Sequence, residues 1–418
     1  MFKKVKSIQL FENILSLVGL KGIEYILNFI LYPFLLRVLG AEKFGMIAFM
    51  QGIIQYFIII VDYGFNMTGP KSIAQAKSKG EIGTIFSNIM AAKFILLLLV
   101  TSIAMVIGTI GTIYFSWNIT LFIAVYVMVI GNFIFPIWFF QGIQEMKYIT
   151  LFNVIARLII LFLMFLIIKT PDDYIWAALF QSSMLGISGI ISFYVLIEKY
   201  RYIFVKPTWN GIIKTIRNGW HIFFSTIAIN IYTTTNVVVL GMLTTDSIVG
   251  YFSAANKLID CAKGLMIAIT QAVYPYVSNK ISQSTDDTIN FLRIFLKSYC
   301  GLCGIGSMVL FFFAEWIVRF LFGDEYISSI IILKTMAFLP FIISISNVFG
   351  VQLMLNWGKQ RAFSTILSLA AIIDCCIVVP LASLYSAEGI AITMLVTEGF
   401  VTTCTILYVY WYMKIRLI

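Results

Sequence analysis

The sequence predicts an all-α integral membrane protein, with about twelve transmembrane helices in two six-helix lobes around a central cavity. Three observations predict it: a composition too apolar for a water-facing surface, a series of apolar runs long enough to cross a bilayer, and basic residues confined to alternate loops. Of 418 residues, 61% are hydrophobic and 11% charged, and the mean hydropathy is +0.97. A soluble domain keeps roughly a quarter of its residues charged to wet its surface. This chain has fewer than half that proportion, so its surface must face lipid.

A bilayer core takes about 20 apolar residues of helix at 1.5 Å rise each. Runs of that size fall near 14–36, 44–64, 84–112, 118–140, 149–168 and 174–197, and again near 219–243, 248–276, 290–314, 327–354, 363–383 and 388–412. Lys3, Lys4 and Lys6 precede the first run as they would in a signal peptide. That run is too long for one, Lys21 and Glu24 interrupt it, and further spans follow directly, so it reads as an uncleaved first helix.

The charges test the count. Lys71, Lys77, Lys79, Lys147, Lys199, Arg201, Lys206, Lys214, Arg217, Lys280, Lys359, Arg361, Lys414 and Arg416 fall on the same side as the amino terminus. The intervening loops hold only Arg37, Lys43, Lys169 and Arg319, beside acids such as Asp172, Asp173, Asp246, Asp324 and Glu325. With the three amino-terminal lysines that is about seventeen against four, which under the positive-inside rule puts both termini in the cytoplasm.

The longest basic break, Glu198 to Asn218, divides the spans equally. The expected organisation is an amino-terminal lobe over 1–198, a basic cytoplasmic linker over 199–218 and a carboxy-terminal lobe over 219–418. Equal halves with even numbers of spans suggest a parallel internal duplication. Leu39-Gly40 and Leu240-Gly241 each end the first helix of a half. Gly45 and Gly250 open the next helix, Pro70 and Pro275 lie near its far end, and both of these pairs are 205 residues apart.

Several chemistries are excluded or weakened. The net charge of +10 does not indicate nucleic acid, because the basic residues sit in short breaks and not on one hydrophilic module. His221, the one imidazole, stands beside Trp220 at a membrane boundary. Cys300 and Cys303 are spaced as a redox pair but lie inside an apolar run, where packed helix residues are the plainer reading. No Walker loop, His-Glu-x-x-His or Gly-x-Ser-x-Gly occurs, so no enzyme is expected, and no metal or resident cofactor. Transport without ATP must draw on an ion gradient or on the substrate's own.

Ionisable side chains inside the spans carry the remaining information, since each costs at least about 2.5 kcal/mol at mid-bilayer. Lys21, Glu24, Asn28 and Tyr32 fall on one stripe of the first helix, and Asn256, Lys257, Asp260, Lys263 and Gln271 form a net-positive group on the eighth. Gln51, Gln55 and Asp62 share a side of the second, Lys93, Arg157 and Lys334 stand in the third, fifth and tenth, and Asp374 and Glu398 in the last two. The functional reading is a cationic cavity in which Lys257, Lys263, Lys21 and Lys93 bind substrate. Glu24, Asp62 and Asp260 are candidates for Na+ or H+ coupling or for pairing. The plainer reading is that basic side chains snorkel to headgroups, acids pair with them, and Asp62, before Tyr63-Gly64-Phe65, caps a loop. Buried positive charge in excess of acid calls for an anion, and a lipid-borne phosphate or diphosphate suits it.

Asn13-Ile14-Leu15-Ser16-Leu17, Tyr32-Pro33-Phe34-Leu35-Leu36-Arg37-Val38-Leu39-Gly40 and Phe44-Gly45 resemble the polysaccharide transporter (Wzx-type) flippases. So do Gln55-Tyr56-Phe57, Val61-Asp62-Tyr63-Gly64-Phe65-Asn66 and Pro136-Ile137-Trp138-Phe139-Phe140-Gln141-Gly142. The resemblance is strongest over roughly residues 10–160 and extends in topology to the multidrug/oligosaccharidyl-lipid/polysaccharide exporter superfamily. It implies a bacterial inner-membrane flippase that carries undecaprenyl-diphosphate-linked repeat units, such as O-antigen units, to the periplasmic leaflet by alternating access. Its partners would be the lipid-linked glycan, the bilayer, and the polymerase and chain-length components of the same pathway. An ion-coupled exporter of small amphipathic cations is the alternative on the same fold, though its cavity should be net acidic. A membrane glycosyltransferase or polymerase would need a sizeable outer loop, and the outer breaks here are short.

Overall fold

The computed structural model describes residues 2–281 and 283–415, with side chains left aside at 2–21, 24, 25, 221, 222, 224–226, 228–233 and 272. Among the described residues the fold is helical throughout, without strands. The helices are α1 (Phe2–Asp62), α2 (Phe65–Ala74), α3 (Lys79–Phe115), α4 (Ile119–Ile134), α5 (Ile137–Gly142), α6 (Met146–Ile167) and α7 (Tyr174–Lys199). There follow α8 (Trp209–Leu243), α9 (Asp246–Ile281), α10 (Thr285–Phe312), α11 (Ala314–Phe322), α12 (Ser329–Met336), α13 (Leu339–Ser346) and α14 (Gln360–Trp411). A π-helical stretch, Asn347–Leu355, continues α13.

Two of these helices are pairs of spans joined at a sharp bend. In α1 the backbone leaves helical geometry at Gly40 (φ 73°, ψ 171°), a region that costs glycine little and other residues more. In α14 it does so at Ser386 (φ 51°, ψ −127°). Taking each arm as a span, α4 with α5 as one, and α12, α13 and the π-helical stretch as another, the helices can be laid out as twelve segments, the number that the apolar runs predict, though α8 and α9 are not among those apolar enough by themselves. Eight stretches meet the length and apolarity of a membrane span, the two bent helices counting once each. The protein is a multi-pass membrane protein.

Reversals between spans are fixed by local capping. Ser78 accepts a hydrogen bond from the Glu81 N–H at 3.2 Å, and Glu81 accepts from the Lys77 N–H at 2.8 Å, which starts α3. Asn118 Oδ1 accepts from the N–H groups of Thr120 (3.0 Å) and Leu121 (3.2 Å), which starts α4. Before α7, Asp173 accepts from the N–H groups of Lys169 and Thr170, and these bonds hold its carboxyl below the ordinary range. Ser284 caps α10 through the Asp287 N–H at 3.3 Å.

The chain groups into two compact units. The first is Met1–Leu31 with Phe49–Asn230, and the second is Tyr32–Ala48 with Ile231–Ile418. In the first, α4 packs on α7 so closely that a Cβ on Gly131 would stand 2.5 Å from the Gly186 nitrogen. Gly131→Leu should therefore lower stability by about 1–3 kcal/mol through forced separation of the helices. Thermal unfolding in detergent checks this, and an unchanged midpoint would refute the close crossing. Phe86, Trp138, Phe139 and Phe140 form the buried aromatic centre of this unit. The basic break after α7 is pinned to α3: Ser87 donates to the Ile203 carbonyl at 2.9 Å and accepts from the Val205 N–H at 3.1 Å, while Asn88 accepts from the Thr208 N–H at 3.0 Å.

In the second unit, α9, α10, the π-helical stretch and α14 enclose a core that includes Leu292, Tyr299, Val348, Phe349, Leu353 and Ala370. Cys300 and Cys303 belong to it as free thiols. Gln352, fully buried, donates from Nε2 to the Thr270 carbonyl at 2.9 Å, which ties the π-helical stretch to α9.

Candidate functional site

In the first unit, two of the residues singled out from the sequence meet each other. At the end of α1, Tyr63 (φ 45°) and Gly64 (φ 76°) turn the chain into α2, so that Asp62 faces α3 and α4. The Lys93 ammonium lies 3.0 Å from Asp62 Oδ1 and donates to the Asn132 carbonyl at 3.2 Å. Asp62 Oδ2 accepts from the amides of Asn66 at 3.1 Å and Asn132 at 3.3 Å. Lys93 is 1% exposed, so its charge is spent inside the unit and its tip has no open face for a ligand. Asp62 is likewise engaged on both oxygens. Nearby in the same unit, Gln51 donates to Gln181 at 3.3 Å, and buried Arg157 directs Nε at the Met184 sulfur, 3.4 Å away.

The second unit holds the other two lysines differently. Lys257 of α9 is surrounded by protein atoms, yet part of its surface stays open. Its ammonium lies 4.5 Å from the centroid of the Tyr32 ring, within hydrogen-bonding reach of the Tyr32 hydroxyl. A cation over an aromatic face gains about 0.5–2 kcal/mol without losing its charge. Asp260, exposed on the next turn, accepts from the Asn256 amide at 3.1 Å. Among the described residues no carboxylate lies within salt-bridge distance of Lys257. Lys263 is half-buried, and its charge acts on the half-buried Glu398 of α14. The side chains of Lys21, Glu24 and His221 lie outside the described residues.

One acid was visible in the sequence but not grouped with the candidates. Asp374 of α14 is 1% exposed. Its Oδ1 accepts from the Thr397 hydroxyl at 3.1 Å, and the Asn236 side chain of α8 also bonds the carboxyl. Its Oδ2 has no hydrogen-bond partner, and no Lys or Arg lies within salt-bridge distance among the described residues. The signal for it was available: the helix around it, Ala370-Ala371-Ile372-Ile373 and Cys375-Cys376-Ile377-Val378, offers no basic residue at i±3 or i±4.

Chemically, the second unit presents two partly open ammonium groups, one held over an aromatic ring, and one sealed carboxyl without a cation. The first pair can attract an anion, and the second can hold a proton or a small cation. Among the described residues no group of three or more His, Cys, Asp or Glu side chains gathers as metal ligands.

A family model described as polysaccharide biosynthesis protein matches residues 10–280. A curated Escherichia coli (strain K12) protein named "Putative O-antigen transporter" is 33% identical over 95% of this chain and 96% of its own length. A Shigella dysenteriae protein of the same name is 32% identical over 93% and 96%. Among solved structures, the fold is similar to an inward-facing multidrug resistance MATE family transporter of the MOP superfamily, with TM-score 0.71, 14% identity and 94% of each chain covered. It is also similar to the lipid II flippase MurJ in an inward closed conformation, with TM-score 0.70, 13% identity, and 94% of this chain and 86% of that one covered.

Proposed function

We propose, from the premise that the chain belongs to the polysaccharide biosynthesis protein family, that it is a flippase for undecaprenyl-diphosphate-linked oligosaccharide repeat units of the O-antigen type. It moves them by alternating access from the cytoplasmic to the periplasmic leaflet of a bacterial inner membrane, with both termini in the cytoplasm. Its partners are the lipid-linked glycan and the polymerase and chain-length components that use it. The names of the two curated relatives support the cargo class.

The observation that carries the reading is Lys257, a cation deep in a membrane protein and partly open, steadied by Tyr32 and with no carboxylate at salt-bridge distance among the described residues. Such a group favours an anion, and a phosphate accepts strong charge-assisted bonds from an ammonium. Deleting the protein should strand lipid-linked repeat units in the cytoplasmic leaflet and abolish the surface polysaccharide. Normal surface polysaccharide after deletion would overturn the proposal. The alternative, export of small amphipathic cations, is opposed by that same ammonium. Unchanged drug susceptibility on deletion separates the two.

For coupling to a Na+ or proton gradient, the proposal places the working acid at Asp374. Asp62 is taken up by Lys93 and two amides, Asp260 is exposed, and Glu24 lies outside the described residues. A sealed carboxylate without a cation is costly, so it takes up a proton or an ion. Asp374→Asn should leave insertion intact and remove the response of flipping in liposomes to an imposed Na+ or pH gradient. A variant that responds as the wild type does would take Asp374 out of coupling.

A further inference from the structure

Within the first unit, the stretch from Lys199 to Arg217 carries five basic residues and no acid. Lys199 donates to the Tyr148 hydroxyl at 2.9 Å. Arg201, Lys206, Lys214 and Arg217 are exposed, and among the described residues none of the four has a carboxylate within salt-bridge distance. Loop charge by itself needs no fixed shape, yet this stretch is held firmly. Ser87 and Asn88 of α3, both buried, bond the backbone at Ile203, Val205 and Thr208. A Cβ on Gly83 would stand 2.7 Å from the Tyr202 carbonyl oxygen, and one on Gly211 would stand 2.3 Å from the Asn88 amide nitrogen. The strap and the start of α8 therefore lie directly on α3.

That tie also fixes their height in the membrane. The exposed large apolar side chains of α3 begin at Phe94 and continue to Phe115. Asn88, six residues before Phe94, stands about 9 Å short of it along the helix axis. A headgroup layer occupies roughly 5–8 Å on each side of the hydrocarbon. The first turn of α8, bonded to Asn88 through Thr208, is thus at headgroup height.

The exposed surface of α8 there has two sectors. At about 100° per residue, Trp209, Ile213 and Trp220 fall within about 40° of one another, while Asn210, Lys214 and Arg217 lie about 80–140° around from Trp209. Trp209 is 67% exposed, Ile213 49% and Trp220 50%. An apolar stripe beside a basic one is the arrangement of a helix that meets a lipid interface.

We propose that the Lys199–Arg217 stretch is a binding surface for anionic phospholipid headgroups. Lys206, Lys214 and Arg217 take the phosphates, and Trp209 and Ile213 seat at the acyl boundary. Charge complementarity selects the occupant, since bases without an acid favour an anion and form charge-assisted bonds to phosphate. Exposed Trp and Ile at headgroup height favour a lipid over an acidic soluble partner. The ligand is a lipid of the bilayer and not the transported cargo, so the inference stands apart from the flippase reading.

The test uses the full-length chain in a neutral detergent, titrated with phosphatidylglycerol or with zwitterionic phosphatidylcholine, and counts bound lipid by native mass spectrometry. Lys214→Gln combined with Arg217→Gln should raise the phosphatidylglycerol concentration at half-occupancy about 25-fold, because each base near a lipid surface is worth about fivefold. Phosphatidylcholine binding should be unchanged. Lys359→Gln combined with Arg361→Gln removes the same charge from another exposed break and should shift neither lipid. Equal shifts in the two double variants would reduce the surface to general loop charge and overturn the proposal. Unchanged phosphatidylglycerol binding in the first double variant would overturn it as well. Both outcomes leave the flippase reading untouched, and normal surface polysaccharide on deletion leaves the lipid surface standing.

Discussion

Lys93→Met should destabilise the protein by about 3 kcal/mol, the lower end of what breaking a buried ion pair costs. The lower end applies because Asp62, the partner left behind, is 20% exposed on its side chain and keeps the amides of Asn66 and Asn132. The reverse change, Asp62→Asn, should cost more, because it strands an ammonium that is only 1% exposed. Combining the two should recover much of the loss, since neither charge then remains without its partner. Thermal unfolding of the purified protein in detergent measures all three. Single variants as stable as the wild type would mean that the pair contributes nothing, and a double variant as poor as the worse single would mean that volume matters and charge does not.

Lys257→Ala should lower flipping of a lipid-linked oligosaccharide in liposomes by about 10- to 100-fold, the equivalent of the roughly 1.5–3 kcal/mol carried by one hydrogen bond to a charged group. Insertion should hold and stability should fall by no more than the lost cation–π contact, about 0.5–2 kcal/mol, because the change leaves no buried carboxylate without a partner among the described residues. Lys257→Arg keeps the charge and should retain part of the activity. Tyr32→Phe keeps the ring and removes the hydroxyl, so its loss should be the smallest of the three. Full activity in Lys257→Ala would remove this residue from the mechanism. Lys263 is a less clean probe, since Lys263→Ala also leaves Glu398 without its counterpart. Lys263→Gln combined with Glu398→Gln separates the two effects.

The sequence made the spans legible because lipid imposes length and apolarity on each crossing separately, and loop charge then checks the count. Gly40, expected to end the first helix, does so with a positive φ that glycine tolerates. The basic break predicts a linker over 199–218, whereas α8 already begins at Trp209 and the residues before it are tied to α3. Polar extensions of helices beyond their apolar span look like loops when only apolar length is counted.

The site was legible in part. Stripe geometry shows that Tyr32 shares a face with Lys21 and Glu24, and that Lys257 shares one with Asp260 and Lys263. It does not show which stripe meets which, and Tyr32 against Lys257 is a contact across 225 residues of chain. The sequence alone suggests separate roles for Lys93 and Asp62, because nothing local links two residues 31 positions apart. The 205-residue offset of Gly45 and Gly250 was visible at once. What it serves is a crossing in which a carbonyl of each segment fills the space beside the other's glycine, a contact between segments far apart in the chain.

The nine residues Asn347–Leu355 are wound more widely than the helix on either side of them, and this winding sets where their side chains point. Gln352 reaches the Thr270 carbonyl only because that register turns it inward. Deleting a single residue here would tighten the coil into ordinary 3.6-residue turns and swing its amide away, so that the nitrogen loses the Thr270 carbonyl. Loss of one residue elsewhere in the stretch, with Gln352 kept, should therefore be more damaging than a substitution of Gln352 itself.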